Sequence, residues 1–84
     1  MTSLEPATFD LARAALGPAC GRAELTRGTL FLRYIGLGGS CSSSQIADHC
    51  SDGAALSVWE HNLLVQAINE RFLEVGNLER VAFS

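Results

Sequence analysis

With 84 residues the chain has room for one domain and one core, and burying only about two-thirds of its unfolded surface leaves it marginally stable. Hydrophobic residues at 48% against charged residues at 18% place it with folded globular proteins and exclude a disordered tail. The net charge of −3 is unevenly spread, +1 over residues 1–40 and −4 over residues 41–84, and the acidic half is a poor match for a phosphate backbone.

Pro6 suits the first turn of a helix, and Phe9, Ala12 and Leu16 share one face with Asp10 and Arg13 on the other side. Gly17-Pro18 then supplies a stop, so a first helix is expected near residues 5–16. Thr29 to Ile35 is rich in strand-favouring types, yet Leu25, Phe31, Leu32 and Ile35 make a broad apolar stripe, and a central helix fits better than a strand. Gly36 to Ser40 is the strongest break in the chain. Any of Ser42, Ser43 and Ser44 is a candidate cap for a short helix through Cys50, with Ile46, Ala47 and Cys50 inward.

Ser57-Val58-Trp59-Glu60 has the spacing of a capping box, in which serine oxygen and glutamate carboxylate each satisfy a backbone N–H at a helix start. Leu64, Ile68, Phe72 and Val75 follow at helical spacing, widened by Leu63 and Ala67, and Gly76 stands where a left-handed cap is wanted. Asn62, Gln66, Asn69, Glu70 and Glu74 form the expected wet side. Leu78 to Phe83 is too short to stand alone, so Val81 and Phe83 are expected to pack back on the bundle. The sum is one all-α domain over residues 1–84, a compact bundle of about four helices whose last two have a helix-turn-helix-like arrangement.

A helix-turn-helix would read DNA through Gln45, Ser57 and Asn62, but residues 44–70 contain no Arg or Lys while Asp48, Asp52, Glu60 and Glu70 would repel phosphate. Nucleic-acid regulation is therefore the alternative expectation only. Cys20, Cys41, His49, Cys50 and His61 could furnish metal ligands, but no Cys-x-x-Cys pair exists, and no metal or other cofactor is expected. Gly36-x-Gly38 reads as a turn, since a dinucleotide loop would need a third glycine where Cys41 stands. Ser44, Asp48 and His49 supply triad residue types, but any serine-rich loop beside a histidine would do as well, and so short a bundle leaves little room for an enzyme pocket; catalysis is not expected.

Three cysteines, an odd number, fit free thiols in a reducing compartment. Met1 to Phe9 lacks the basic start and apolar core of a leader, and no apolar run approaches the ~20 residues that cross a bilayer, so a cytoplasmic chain without membrane contact is expected. What remains is surplus apolarity. Trp59, Tyr34 and Phe31 cannot all face one core, and wet-tipped aromatics anchor interfaces; with Phe83 they are the residues expected at the interface. The expected function is that of a non-catalytic regulatory or adaptor protein whose apolar helical face docks a protein partner or a second copy.

All six basic residues are arginine, as in chains from GC-rich genomes. Leu32-Arg33-Tyr34-Ile35-Gly36-Leu37-Gly38-Gly39 and Ala67-Ile68-Asn69-Glu70-Arg71-Phe72, with the closing Arg80-Val81-Ala82-Phe83-Ser84, together resemble small stand-alone helical proteins of unassigned function from actinobacteria. The resemblance spans residues 25–84. It implies a cytoplasmic helical protein and carries over no catalytic or ligand residue, and Gly53-Ala54-Ala55 stands where it implies a proline-containing link.

Overall fold

Thr26, Ser42 and Ser57 each stand in extended backbone with a side-chain oxygen accepting the N–H three residues on, and each begins a helix. In the computed structural model, which describes residues 6–84, the elements are α1 (Pro6–Arg22), α2 (Arg27–Gly36), α3 (Ser43–His49) and α4 (Val58–Glu74). The described residues are all-α, as expected, and residues 29–35 are helical. Met1–Glu5, on which part of the expectation about a leader rests and where the first helix was expected to start, lie outside the described residues.

Gly17-Pro18 does not stop α1, which continues to Arg22 with Pro18 inside it. An interior proline costs a helix about 3 kcal/mol. Here Ala19, Cys20 and Ala23 beyond it are all buried, so the second half of α1 is held by packing rather than by propensity. The true stop is Glu24. Its φ of 61° is left-handed, and the N–H groups of Glu24 and Leu25 return to the carbonyls of Gly21 and Cys20 at 3.0 Å each, a Schellman ending built without glycine. The same 6→1 and 5→2 bonds close α2 at Gly38 and α4 at Gly76, the latter as expected.

The apolar stripe of α2 is turned from its expected position. Leu30 and Tyr34, one turn apart, face the core; Leu32 and Ile35 are exposed, and Phe31 is half-buried. The core gathers Leu16, Ala19 and Cys20 of α1 and Ala23 just beyond it, Leu30 and Tyr34 of α2, Ile46 of α3, and Leu64, Val65, Ala67, Ile68 and Phe72 of α4. Val75 is only half-buried, while Val65, not assigned to the stripe, is fully enclosed.

The expected capping box at α4 is half formed. Ser57 Oγ accepts from Glu60 N–H at 3.2 Å, but the Glu60 carboxylate turns away to take the Tyr34 hydroxyl and the Ser40 hydroxyl at 3.1 Å. The Tyr34 oxygen in turn accepts the Cys41 N–H at 2.8 Å, so one buried phenol ties the α2–α3 link to the first turn of α4. These hydrogen bonds hold the Glu60 carboxyl below its usual range. Reciprocal boxes form instead at Thr26/Thr29 and Ser42/Gln45. Gly39 is required by this arrangement, since a β-carbon there would lie 2.3 Å from the Tyr34 ring.

Candidate protein-interaction surface

Asn62 and Asn69 are seven residues apart on α4, two helical turns, and so lie on one face about 10.5 Å apart. After Gly76 the chain reverses. The Asn77 side chain accepts the Glu79 N–H at 2.8 Å in an Asx turn, and residues 77–84 run back along α4. Asn69 donates to the Val81 carbonyl at 2.9 Å and accepts the Val81 N–H at 2.7 Å. Asn62 does the same for Ser84, at 3.1 and 2.9 Å. Three extended residues span roughly 10 Å, which matches two helical turns, so the tail lies extended and antiparallel to α4 with its backbone read at two points. A primary amide suits this job because it offers a donor and an acceptor side by side, as a neighbouring strand would.

Glu79 anchors the start of the tail to α1: Arg22 Nε lies 2.9 Å from both carboxylate oxygens. Val81 packs against the core, as expected. Phe83, expected to do likewise, remains 55% exposed.

The outward apolar side chains collect on the same side. Val58 and Trp59 precede Asn62 by four and three residues and Leu73 follows Asn69 by four, so all three share the face that carries the tail. Trp59 is 68% exposed and Leu73 69%, and in the tail Leu78 stands 93% exposed. Trp59 and Phe83 are thus available where an interface anchor has to be. Tyr34 is not: it is fully buried, because its hydroxyl finds both a donor and an acceptor inside and its ring fills the space left by Gly39. Phe31 lines a separate cleft of about 360 Å³ between α1, α2 and α3, floored by Leu30 and Ile46 and flanked by Cys20, Cys50 and Arg27.

The three residues assigned to base reading are engaged within the chain. Gln45 Oε1 accepts the Ser42 N–H at 2.7 Å, Ser57 caps α4, and Asn62 holds Ser84. Eight residues, 50–57, link α3 to α4, against the three or four of a helix-turn-helix turn.

The most concentrated polar chemistry lies under α3 and involves residues with no expected role. Arg13, placed on the outer side of α1 by its spacing, is only 8% exposed. Its Nε donates to the His49 carbonyl at 2.9 Å, Nη2 reaches the carbonyls of Asp48, Ser51 and Gly53, and Nη1 meets Asp10 at 3.1 Å. One guanidinium thus satisfies the carbonyls that a seven-residue helix leaves open at its negative end. Beside it His49 and His61, both fully buried, stand 2.8 Å apart, Nε2 to Nδ1. Leu56 N–H donates to His49 Nδ1 at 2.9 Å, which assigns the proton of His49 to Nε2, makes His61 Nδ1 the acceptor, and leaves the proton of His61 on Nε2. That last N–H has no partner among the described residues. Burial, then the neighbouring imidazole and the Arg13 charge, push His49 down to about 4, and burial and Arg13 lower His61 as well.

Cys20, Cys41 and Cys50 are free thiols, and burial raises Cys20 and Cys50, which makes them poor nucleophiles. Among the described residues no three metal-ligating side chains converge, and no helix is long and apolar enough to cross a membrane. No family model matches the chain, and no match to it was found among curated proteins or among solved structures.

Proposed function

We propose that this protein is a non-catalytic regulatory or adaptor module that acts by docking the α4 and tail face onto a protein partner or a second copy of itself. The observation that carries this is Trp59, 68% exposed on a helix whose same face shows Leu73 and supports a tail ending in exposed Phe83. A large aromatic left in water at the N-terminal end of such a strip has much to gain from burial. The two asparagines on this face already have their amides paired with the tail, so covering the strip leaves neither of them unsatisfied.

Trp59 is the sole tryptophan, so its emission reports on the proposed surface directly. Sedimentation equilibrium of the wild type should show concentration-dependent association accompanied by a blue shift, and Trp59→Ala or Phe83→Ala should weaken it at least tenfold with the far-UV spectrum unchanged. Variants that keep the fold and leave every association as it was would overturn the proposal.

A further inference from the structure

The chain holds its own tail through contacts that a tail from elsewhere would make equally well. Asn69 and Asn62 bind only the backbone of residues 81 and 84, Arg22 binds the Glu79 carboxylate, and Val81 fills a half-buried apolar site. The turn that sends the tail back is Gly76, at φ +73° with open space where a β-carbon would be. Glycine populates extended backbone as readily as left-handed, so the tail can leave at a different angle with no steric penalty at the hinge.

We propose that residues 77–84 are an exchange element: the tail of one copy docks on the Asn62/Asn69 face of a second copy, and the second returns its tail to the first. This rests on the docking reading and names the partner as another molecule of this chain. Exchanging identical elements keeps the contacts of residues 79–84 and gives up only the helix-closing bonds at Gly76 and Asn77, so the balance is decided by what else the dimer covers. Two bodies joined by reciprocal tails bring the C-terminal ends of their α4 helices together, and those ends carry Leu73 and Leu78, both exposed in the single copy. That end of the apolar strip is therefore placed where closing the tails across two molecules would bury it.

The test uses two full-length variants, Arg22→Glu and Glu79→Arg. Both positions lie at the surface, so each variant is expected to fold, which circular dichroism checks. Alone, each sets like charges together whether its tail docks on itself or on an identical copy. Mixed, reciprocal exchange pairs opposite charges at both sites. The expected result, by light scattering, is a one-to-one complex of twice the single-chain mass that is at least about tenfold tighter than the self-association of either variant. Adding Asn69→Leu to both chains should abolish that preference. A mixture that matches the separate variants in mass at equal total concentration, or a mixed complex indifferent to Asn69→Leu, overturns the proposal. The two readings fail separately: loss of wild-type association in Trp59→Ala with no gain on mixing leaves docking without exchange. A gain on mixing with no effect of Trp59→Ala leaves exchange without Trp59.

Discussion

The buried histidine pair makes the fold sensitive to mild acid, and the size of the effect follows from its geometry. His49 in the folded chain has no room for a second proton: Nδ1 already accepts from Leu56, Nε2 faces His61, and the Arg13 guanidinium lies alongside. Its pKa is about 4, against 6.5 for an exposed imidazole. A depressed histidine contributes stability that is complete above the unfolded value and is lost as pH falls, because below 6.5 the unfolded chain takes up a proton that the folded chain refuses. From pH 7.5 to pH 5 the loss from His49 alone is about 2 kcal/mol, rising to about 3 kcal/mol near pH 4. His61, shifted in the same direction, adds to it. For 84 residues total stability is roughly 4–13 kcal/mol, so the change is a large share. Urea unfolding followed by circular dichroism at half-unit steps between pH 7.5 and 5 keeps the carboxylates ionised and isolates the histidines. A midpoint flat across that window, or an equal slope in His49→Gln, would refute the assignment.

Three further substitutions probe the other contacts. Gly39→Ala places a β-carbon 2.3 Å from the Tyr34 ring and should cost about 1–3 kcal/mol, seen as a lower Tm and looser protection of the Cys41 amide in hydrogen exchange. Glu24→Gly relieves the left-handed backbone at the end of α1 and should stabilise by about 0.5–1 kcal/mol, raising Tm by several degrees; an unchanged or lower Tm would show that the ending is not strained. Arg13→Lys keeps the charge but cannot fan out to the carbonyls of residues 48, 49, 51 and 53, and a loss of about 2 kcal/mol in chemical denaturation is expected, against almost none if charge alone matters.

What could be read in advance was what local chemistry decides. The start at Ser57, a start among Ser42, Ser43 and Ser44, the turn at Gly76 and the inward row Leu64, Ile68, Phe72 depend on nearest neighbours and on the helical period, and each stands where its spacing puts it. Misreadings occurred where a distant contact outbid the local signal. Pro18 reads as a stop until Ala19 and Ala23 are known to be buried. Glu60 reads as half of a capping box until Tyr34 arrives to claim it, and Arg13 reads as a solvated charge until α3 ends against it. On the proposed surface, Trp59 could be singled out by its chemistry alone, and it stands exposed. Asn62 and Asn69 were visible as residues but looked like a wet face, because their partner is a backbone, which leaves no mark in composition or periodicity. The seven-residue spacing was the one available sign.

Because the two asparagines grip peptide groups, the course of the last residues, 82–84, is largely independent of what their side chains are. Ala82, exposed and untouched by either amide, could be replaced freely in evolution or in the laboratory without altering where the segment lies. Proline is the exception: at position 81 or 84 it would delete the N–H that Asn69 or Asn62 accepts, and a single such change would unfasten the segment while leaving the helices intact. The outer sequence of this molecule can therefore diversify what it shows to others while the rail that carries it stays fixed.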